Sequence, residues 1–279
     1  MAKRPVGCAI GNLRNGPAAE RLGAIRFFGV ECIEPQFDID AFDADDEPFM
    51  HAARDQFKQA RLSVWSVHAP FGLEVDLSSA DTAIRARGIA AVRRAARGAA
   101  FLGAGVMVVH CGDLCGSDQD HQGPLERSEE ALSEILTACD GINVRIALEN
   151  LPPGRLTCEA EELMSVVTAF PADRVGVCLD TGHANIAGTL NSLMDAVSSR
   201  IITVHLHDND GSEDQHLVPG DGTIDWQMVR SALDSSPYDG PLIFEVDRPG
   251  AYAEMMVDVM KTAEWFANWN THTFPRRKY

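Results

Sequence analysis

Long apolar runs are missing from this chain. No stretch of about 18 apolar residues occurs in its 279 residues, so no membrane-spanning helix is expected. Met1-Ala-Lys-Arg-Pro5 is followed by no apolar core, and no secretory leader is expected. Basic side chains are scarce: 24 Lys plus Arg stand against 41 Asp plus Glu, a formal charge of −17. A field of that sign repels phosphate backbones at long range, which disfavours a nucleic-acid partner unless bound cations or a local basic patch offset it. The seven cysteines, at 8, 32, 111, 115, 139, 158 and 178, are odd in number. Cys111 and Cys115 lack a second close pair, so neither a disulfide framework nor a zinc finger is indicated. Reduced, packed thiols in a cytoplasmic compartment are expected instead. Also absent are a Gly-x-Gly-x-x-Gly turn after a strand, a Gly-x-x-x-x-Gly-Lys-Ser/Thr loop and a Gly-x-Ser-x-Gly elbow. Nothing therefore points to a dinucleotide site, a P-loop or a serine-hydrolase nucleophile.

What is present is alternation. With 45% hydrophobic side chains the chain can bury a large core. Strands are predicted at Val6 to Leu13, Val30 to Glu34, Leu62 to His68, Gly105 to His110, Val144 to Glu149, Val175 to Asp180, Ile202 to His205 and Leu242 to Val246. Helices are predicted between them, at Pro17 to Leu22, Ala44 to Arg61, Ser78 to Phe101, Pro124 to Ala138, Glu159 to Ala169, Thr189 to Ser198 and Asp225 to Leu233, with a last one at Ala251 to Asn268. Ser78 with Asp81 resembles a capping box, and Val92, Ala95, Ala96 and Ala99 make one apolar stripe. Gly105-Val-Met-Val-Val-His110 is nearly continuous in apolar character, as in a parallel strand covered on both faces. Eight βα units without a linker predict an α/β (β/α)8 TIM barrel, a single domain over residues 1–279, with a doubly wound open sheet as the other arrangement of such units.

The strands end in ionisable residues. His68, His110, Glu149, Asp180, His205 and Glu245 close six of the eight, and a buried strand that ends so needs a partner for its charge. In a barrel all strands end on one face, so these residues, with His183, are expected to meet at one mouth. Imidazole and carboxylate without thiolate is the donor set of a Zn, Mn, Fe or Co site, not of a structural zinc. The densest stretch runs from Ile202 through His205, His207, Asp208, Asp214 and His216 to Pro219-Gly-Asp-Gly222. Side chains alternate along a strand, so His205 and His207 are expected on the same face. Asp180 could equally cap a helix from Thr181 onward. Trp65, Phe71 and Trp226 are candidates either for pocket walls or for core.

The chain resembles the sugar phosphate isomerase/epimerase superfamily, the xylose-isomerase-like barrels that include endonuclease IV. The resemblance is carried by His68-Ala-Pro-Phe, Val-Val-His110, Ala-Leu-Glu149-Asn, Cys-Leu-Asp180-Thr-Gly-His183-Ala, Val-His205-Leu-His-Asp208, Asp214-Gln-His216 with its Pro-Gly-Asp-Gly turn, and Phe-Glu245-Val. It implies a divalent cation (Mn, Zn, Co or Mg) on Glu149, Asp180, His205 and Glu245. It also implies Glu149 and Glu245 as acid and base, and a ketose-like sugar, sugar phosphate, polyol or keto acid turned over through an enediolate. His68, His110 and His183 are then expected to touch substrate; Arg248, three residues after Glu245, is either an anion contact for a phosphate or carboxylate or, the favoured reading, a surface salt bridge. The same motifs match the nine ligands of endonuclease IV if His68, His110, His183, Asp214 and His216 join the four. Three residues depart from that nuclease: His207, Asn209 and Gln215 stand where it has Asn, Ser and Arg. A zinc-dependent abasic-site nuclease and a dehydratase of the same superfamily are the alternatives to an isomerase or epimerase. The resemblance implies a small-molecule carbohydrate partner and leaves the oligomer open, a homo-oligomer included.

Overall fold

A computed structural model describes residues 4–12, 19–38, 46–113, 121–247, 252–268 and 274. The strands are β1 (Val6–Asn12), β2 (Cys32–Gln36), β3 (Ser63–Val64), β4 (Ser66–His68), β5 (Val106–Val109), β6 (Arg145–Glu149), β7 (Val175–Asp180), β8 (Ile201–His205) and β9 (Leu242–Phe244). Every pairing is parallel and the order runs β8-β7-β6-β5-β4-β2-β1-β9. β3 pairs with β2 off this path and is the first piece of a strand interrupted at Trp65, which leaves eight strands. A parallel bridge between Leu206 and Phe244, with the Leu206 amide donating to Ile243 at 2.8 Å, brings the two ends of the order together. The sheet is thus a nearly closed (β/α)8 barrel.

The helices are α1 (Ala19–Phe27), α2 (Glu47–Gln59), α3 (Thr82–Leu102), α4 (Gln122–Ala138), α5 (Ala160–Thr168), α6 (Thr181–Ala187), α7 (Leu190–Val197), α8 (Trp226–Ser235) and α9 (Tyr252–Ala267). α3 begins at Thr82 rather than Ser78, because the Asp81 carboxylate accepts from the amides of Ala83 and Ile84. Ser78 instead donates to Asp76. The predicted stripe Val92, Ala95, Ala96 and Ala99 is buried. α6 is the helix that the capping alternative at Asp180 allowed: seven residues are too short to show periodicity, and Asp180 starts it by accepting from the His183 amide at 2.7 Å. No helix among the described residues is long and apolar enough to cross a membrane.

Strand alternation separates two apolar clusters. Met107, Val109, Ile146, Leu148, Val177 and Leu179 join the large core beneath the helices. Val106, Val108, Ala147, Cys178 and Ile202 form a smaller cluster on the opposite face, with Trp65 packed on it. That second cluster is the floor of the barrel interior. His110, Glu149 and Asp180 follow Val108, Ala147 and Cys178 by two residues, so alternation turns them inward above the floor.

Two glycines test this packing with opposite signs. A Cβ on Gly88 in α3 would lie 2.2 Å from the Val75 carbonyl oxygen, whereas a Cβ on Gly23 in α1 meets nothing within 4 Å. Gly88→Ala is expected to lower stability by about 1–3 kcal/mol. Gly23→Ala should raise it by about 0.5–1 kcal/mol through helix propensity. Denaturant melts of the two variants check the pair, and a Gly88→Ala protein as stable as the wild type would refute the close approach.

Candidate metal centre at the barrel mouth

Glu149, Asp180, His205 and Glu245 converge. Their ligand atoms all lie within 4.8 Å of one another. His205 Nδ1 is 2.9 Å from Glu245 Oε2, 3.3 Å from Glu149 Oε1 and 3.7 Å from Asp180 Oδ2. The first three residues are buried at strand ends, and Glu245, just past β9, is half-buried. Asn150 locks two of those ends together: its Nδ2 donates to the Asp180 carbonyl and its Oδ1 accepts from the Asp180 amide, each at 2.8 Å. This explains the Asn after Glu149 in the motif.

The remaining histidines flank this centre on two sides. His68 and His110 each set Nε2 3.2 Å from Glu149 Oε2. His183 and His216 set Nε2 3.2 and 3.1 Å from Asp214 Oδ2. In all four rings Nδ1 is already engaged. It donates to the carbonyls of Ala69, Asn150 and Glu245 from His68, His183 and His216, and to the Asp113 carboxylate from His110. A neutral imidazole with a proton on Nδ1 carries its lone pair on Nε2. Each of these Nε2 lone pairs therefore faces a carboxylate oxygen, acceptor against acceptor, unless a proton or a cation lies between. Engaged Nδ1 and open Nε2, aimed at shared carboxylates, is the arrangement of metal-ligating histidines held by outer partners. Three further groups have ligand atoms equally close: His68, His110 and Glu149; Asp180, His183 and His207; and His207, Asp214 and His216. The donor set fits a divalent cation.

The electrostatics agree. Burial opposes charge on His205, yet Cys178 and the carboxylates of Glu34, Glu245 and Glu149 raise its pKa well above the usual value. Burial likewise opposes charge on Glu149, but the His205 charge and hydrogen bonds from His110, His183 and His205 hold it well below the carboxylate range. Against the cost of burial, the Asp214 hydrogen bond and the charges of Glu245 and Asp214 lift His216 to about 9. Asp214 itself is lowered, burial being outweighed by His183 and His216. Glu149, Asp214 and Glu245, all held below the usual carboxylate range, are ionised at neutral pH and demand a positive counterpart.

Most of the residues expected from sequence do meet at this mouth, and Arg248 lies outside the described residues. Of the three aromatic candidates, Phe71 walls the site: 36% exposed, its ring centroid is 4.3 Å from that of His110 and 5.0 Å from that of His68. Trp65 belongs to the floor, and Trp226 is core, stacked on Phe274 with its Nε1 donating to Asp208 at 2.8 Å. Asp208 is structural as well. It accepts from the amides of Gly220 and Ile224, and a Cβ on Gly222 would lie 2.3 Å from its Oδ1, which accounts for the glycine turn that follows. His207 is fully buried with Nε2 3.0 Å from both Asp180 oxygens, and its ring stacks on His216 at 4.3 Å. One participant was missed. Glu34 on β2 lies 2.7 Å from His205 Nε2, and its only sequence signal is a lone carboxylate among buried neighbours in Cys32-Ile-Glu34-Pro.

Known proteins bear on this geometry. An uncharacterized protein of Methanocaldococcus jannaschii is 32% identical over 185 residues, 64% of this chain and 63% of that one. Another, from Sinorhizobium fredii, is 32% identical over 152 residues, 53% and 49% of the two chains, so the matches span only half to under two thirds of these relatives. A probable endonuclease 4 of Mycobacterium ulcerans is 28% identical over 205 residues, 70% of this chain and 77% of that one. Among solved structures, a D-tagatose 3-epimerase-like protein superposes with a TM-score of 0.79 at 24% identity, covering 95% of this chain and 99% of the other. At that identity the likeness is one of fold. The family model described as the xylose isomerase-like TIM barrel matches residues 18–268. With nearly the whole barrel matched and the acidic, histidine-lined mouth in place, the chain belongs to the xylose isomerase-like TIM barrel family.

Proposed function

We propose that this protein is a divalent-metal-dependent isomerase or epimerase that moves a proton at the carbon beside a carbonyl in a ketose-like sugar, sugar phosphate or related oxidised polyol or keto acid. The reading is carried by the meeting of Glu149, Asp180, His205 and Glu245 within 4.8 Å. Bound by these four, a divalent cation (Mn, Zn, Co or Mg) would polarise the substrate carbonyl and acidify the neighbouring C–H. Glu149 and Glu245 supply the proton traffic. Both are ionised, the state a base requires, and both touch His205 Nδ1, so both border the same small volume. For isomerisation the glutamate that takes a proton from one carbon returns it to the neighbouring carbon; for epimerisation the other glutamate, carrying a proton, delivers it to the opposite face of the same carbon. Phe71 packs against the His68 and His110 rings at the mouth, and the Nε2 atoms of His68, His110 and His183 are the polar groups that face substrate hydroxyls in this reading. Carbohydrate as substrate also suits the net charge of −17, which a polyanionic duplex does not.

A second reading, an abasic-site nuclease, is favoured by one observation. His68 with His110 and Glu149, and His216 with Asp214, form ligand groups beside the four-residue centre, as a multi-metal site would need.

Purified wild-type protein is expected to hold a divalent cation that Asp180→Ala and His205→Ala lose. Elemental analysis decides, and an Asp180→Ala protein with full metal stoichiometry would contradict the ligand assignment. With a ketose substrate in heavy water, the wild type should exchange the proton next to the carbonyl. Glu149→Gln and Glu245→Gln, reloaded with metal, should do so at least about 10²-fold more slowly. Exchange at the wild-type rate in metal-loaded Glu149→Gln would remove Glu149 from the proton path. Incubation with an abasic duplex at protein concentrations far below the DNA separates the two readings: no incision is expected, and efficient metal-dependent cutting would favour the nuclease.

A further inference from the structure

Glu34 crosses the barrel. It stands on β2, yet its Oε1 reaches His205 Nε2 on β8 at 2.7 Å, while its Oε2 accepts from Ser66 Oγ at 2.5 Å. Glu34 is 2% exposed and His205 and Ser66 are 0% exposed, so water does not compete for these contacts. Ser66 donates to one oxygen of the Glu34 carboxylate, and the other oxygen is the acceptor in the short contact, whose proton sits on His205 Nε2. The other nitrogen, Nδ1, is then the one with the lone pair in the neutral ring, and it faces Glu245, Glu149 and Asp180. The opposite tautomer would aim a lone pair at Glu34 from 2.7 Å and turn the N–H toward the three ligand carboxylates.

We propose that Glu34 is a positioning residue for the metal centre: it fixes the ring orientation and the Nε2–H tautomer of His205, leaving Nδ1 to bind a divalent cation together with Glu149, Asp180 and Glu245. Ser66 in turn holds the Glu34 carboxylate in place. The negative charge behind the ring also makes Nδ1 a stronger donor, as an outer carboxylate does for a ligating imidazole. No other carboxylate contacts His205 Nε2 among the described residues, so the tautomer has no second guardian.

The inference rests on the reading of the four residues as a cation site, and two readouts keep the two apart. The first is Zn²⁺ affinity by chelator competition. Glu34→Ala should bind Zn²⁺ about 10–100-fold more weakly than wild type. Glu34→Gln, which keeps an acceptor for Nε2–H and nearly the same shape, should lose less. The second is the His205 ring in ¹H–¹⁵N spectra: a slowly exchanging Nε2 proton in wild type and Glu34→Gln, lost in Glu34→Ala. Circular dichroism confirms the fold, and the Gln variant carries the affinity test if the Ala variant does not fold. Wild-type Zn²⁺ affinity with an unchanged Nε2 proton in Glu34→Ala would overturn the role of Glu34. Should wild type bind no Zn²⁺ at all, the cation reading fails, while the protected Nε2 proton and its dependence on Glu34 still decide the tautomer.

Discussion

Glu34, Asp113, Glu149, Asp180 and Glu245 lie buried or half-buried against imidazoles at one end of this barrel, and charge placed there must be balanced on the spot. Each ion removed from water costs several kcal/mol that only close counter-charges and hydrogen bonds return. Glu149 shows how tightly this is drawn: His68, His110, His183 and His205 all approach its two oxygens within 3.4 Å. Protons on the histidines can meet the demand, and so can cations. The geometry favours the second, since four rings already commit Nδ1 and turn Nε2 toward carboxylates.

The scaffold serves that balance with backbone groups as much as with side chains. Asp180 is a ligand-type carboxylate and at the same time the N-cap of α6, which carries His183. Asn150 ties the backbone of β7 to the loop after β6. Thr181 Oγ1 donates to the carbonyls of His205 and His207, fixing the end of β8 against the start of α6. Gly182 is required beneath them, because a Cβ there would sit 2.0 Å from the His207 ring. His216 adopts φ 48°, a left-handed conformation that bulky residues avoid, in the loop that delivers it to Asp214. Strain of this kind persists only where surrounding contacts over-determine it, here the Asp208 clamp and the hydrogen bond to Glu245.

The four-residue centre suits activation of a carbonyl. The flanking histidine groups could equally bind substrate hydroxyls or further ions. His207, where the nuclease motif has Asn, presses on both Asp180 oxygens and stacks on His216, so this flank is crowded by a ring of its own.

Eight strands alternating with helices, their order and their ionisable ends were legible in the linear chain, because parallel strands covered on both faces leave near-continuous apolar runs and the polar residue that breaks such a run is conspicuous. Boundaries were less so: α3 starts at Thr82 because the carboxylate of Asp81, not Ser78, reaches the free amides. α6 was legible only through its cap, since seven residues carry no period and Asp180 doubles as a metal-ligand type. The convergence of Glu149, Asp180, His205 and Glu245 followed from fold and motif together. What only the tertiary structure decided is which carboxylate serves which imidazole. Glu34 and His205 are 171 positions apart, and a lone Glu in a strand carries no mark of its partner until the barrel closes and brings β2 across from β8. Strand alternation fixes the direction of a side chain, but distance across a barrel interior depends on register and closure, which no local stretch of sequence encodes.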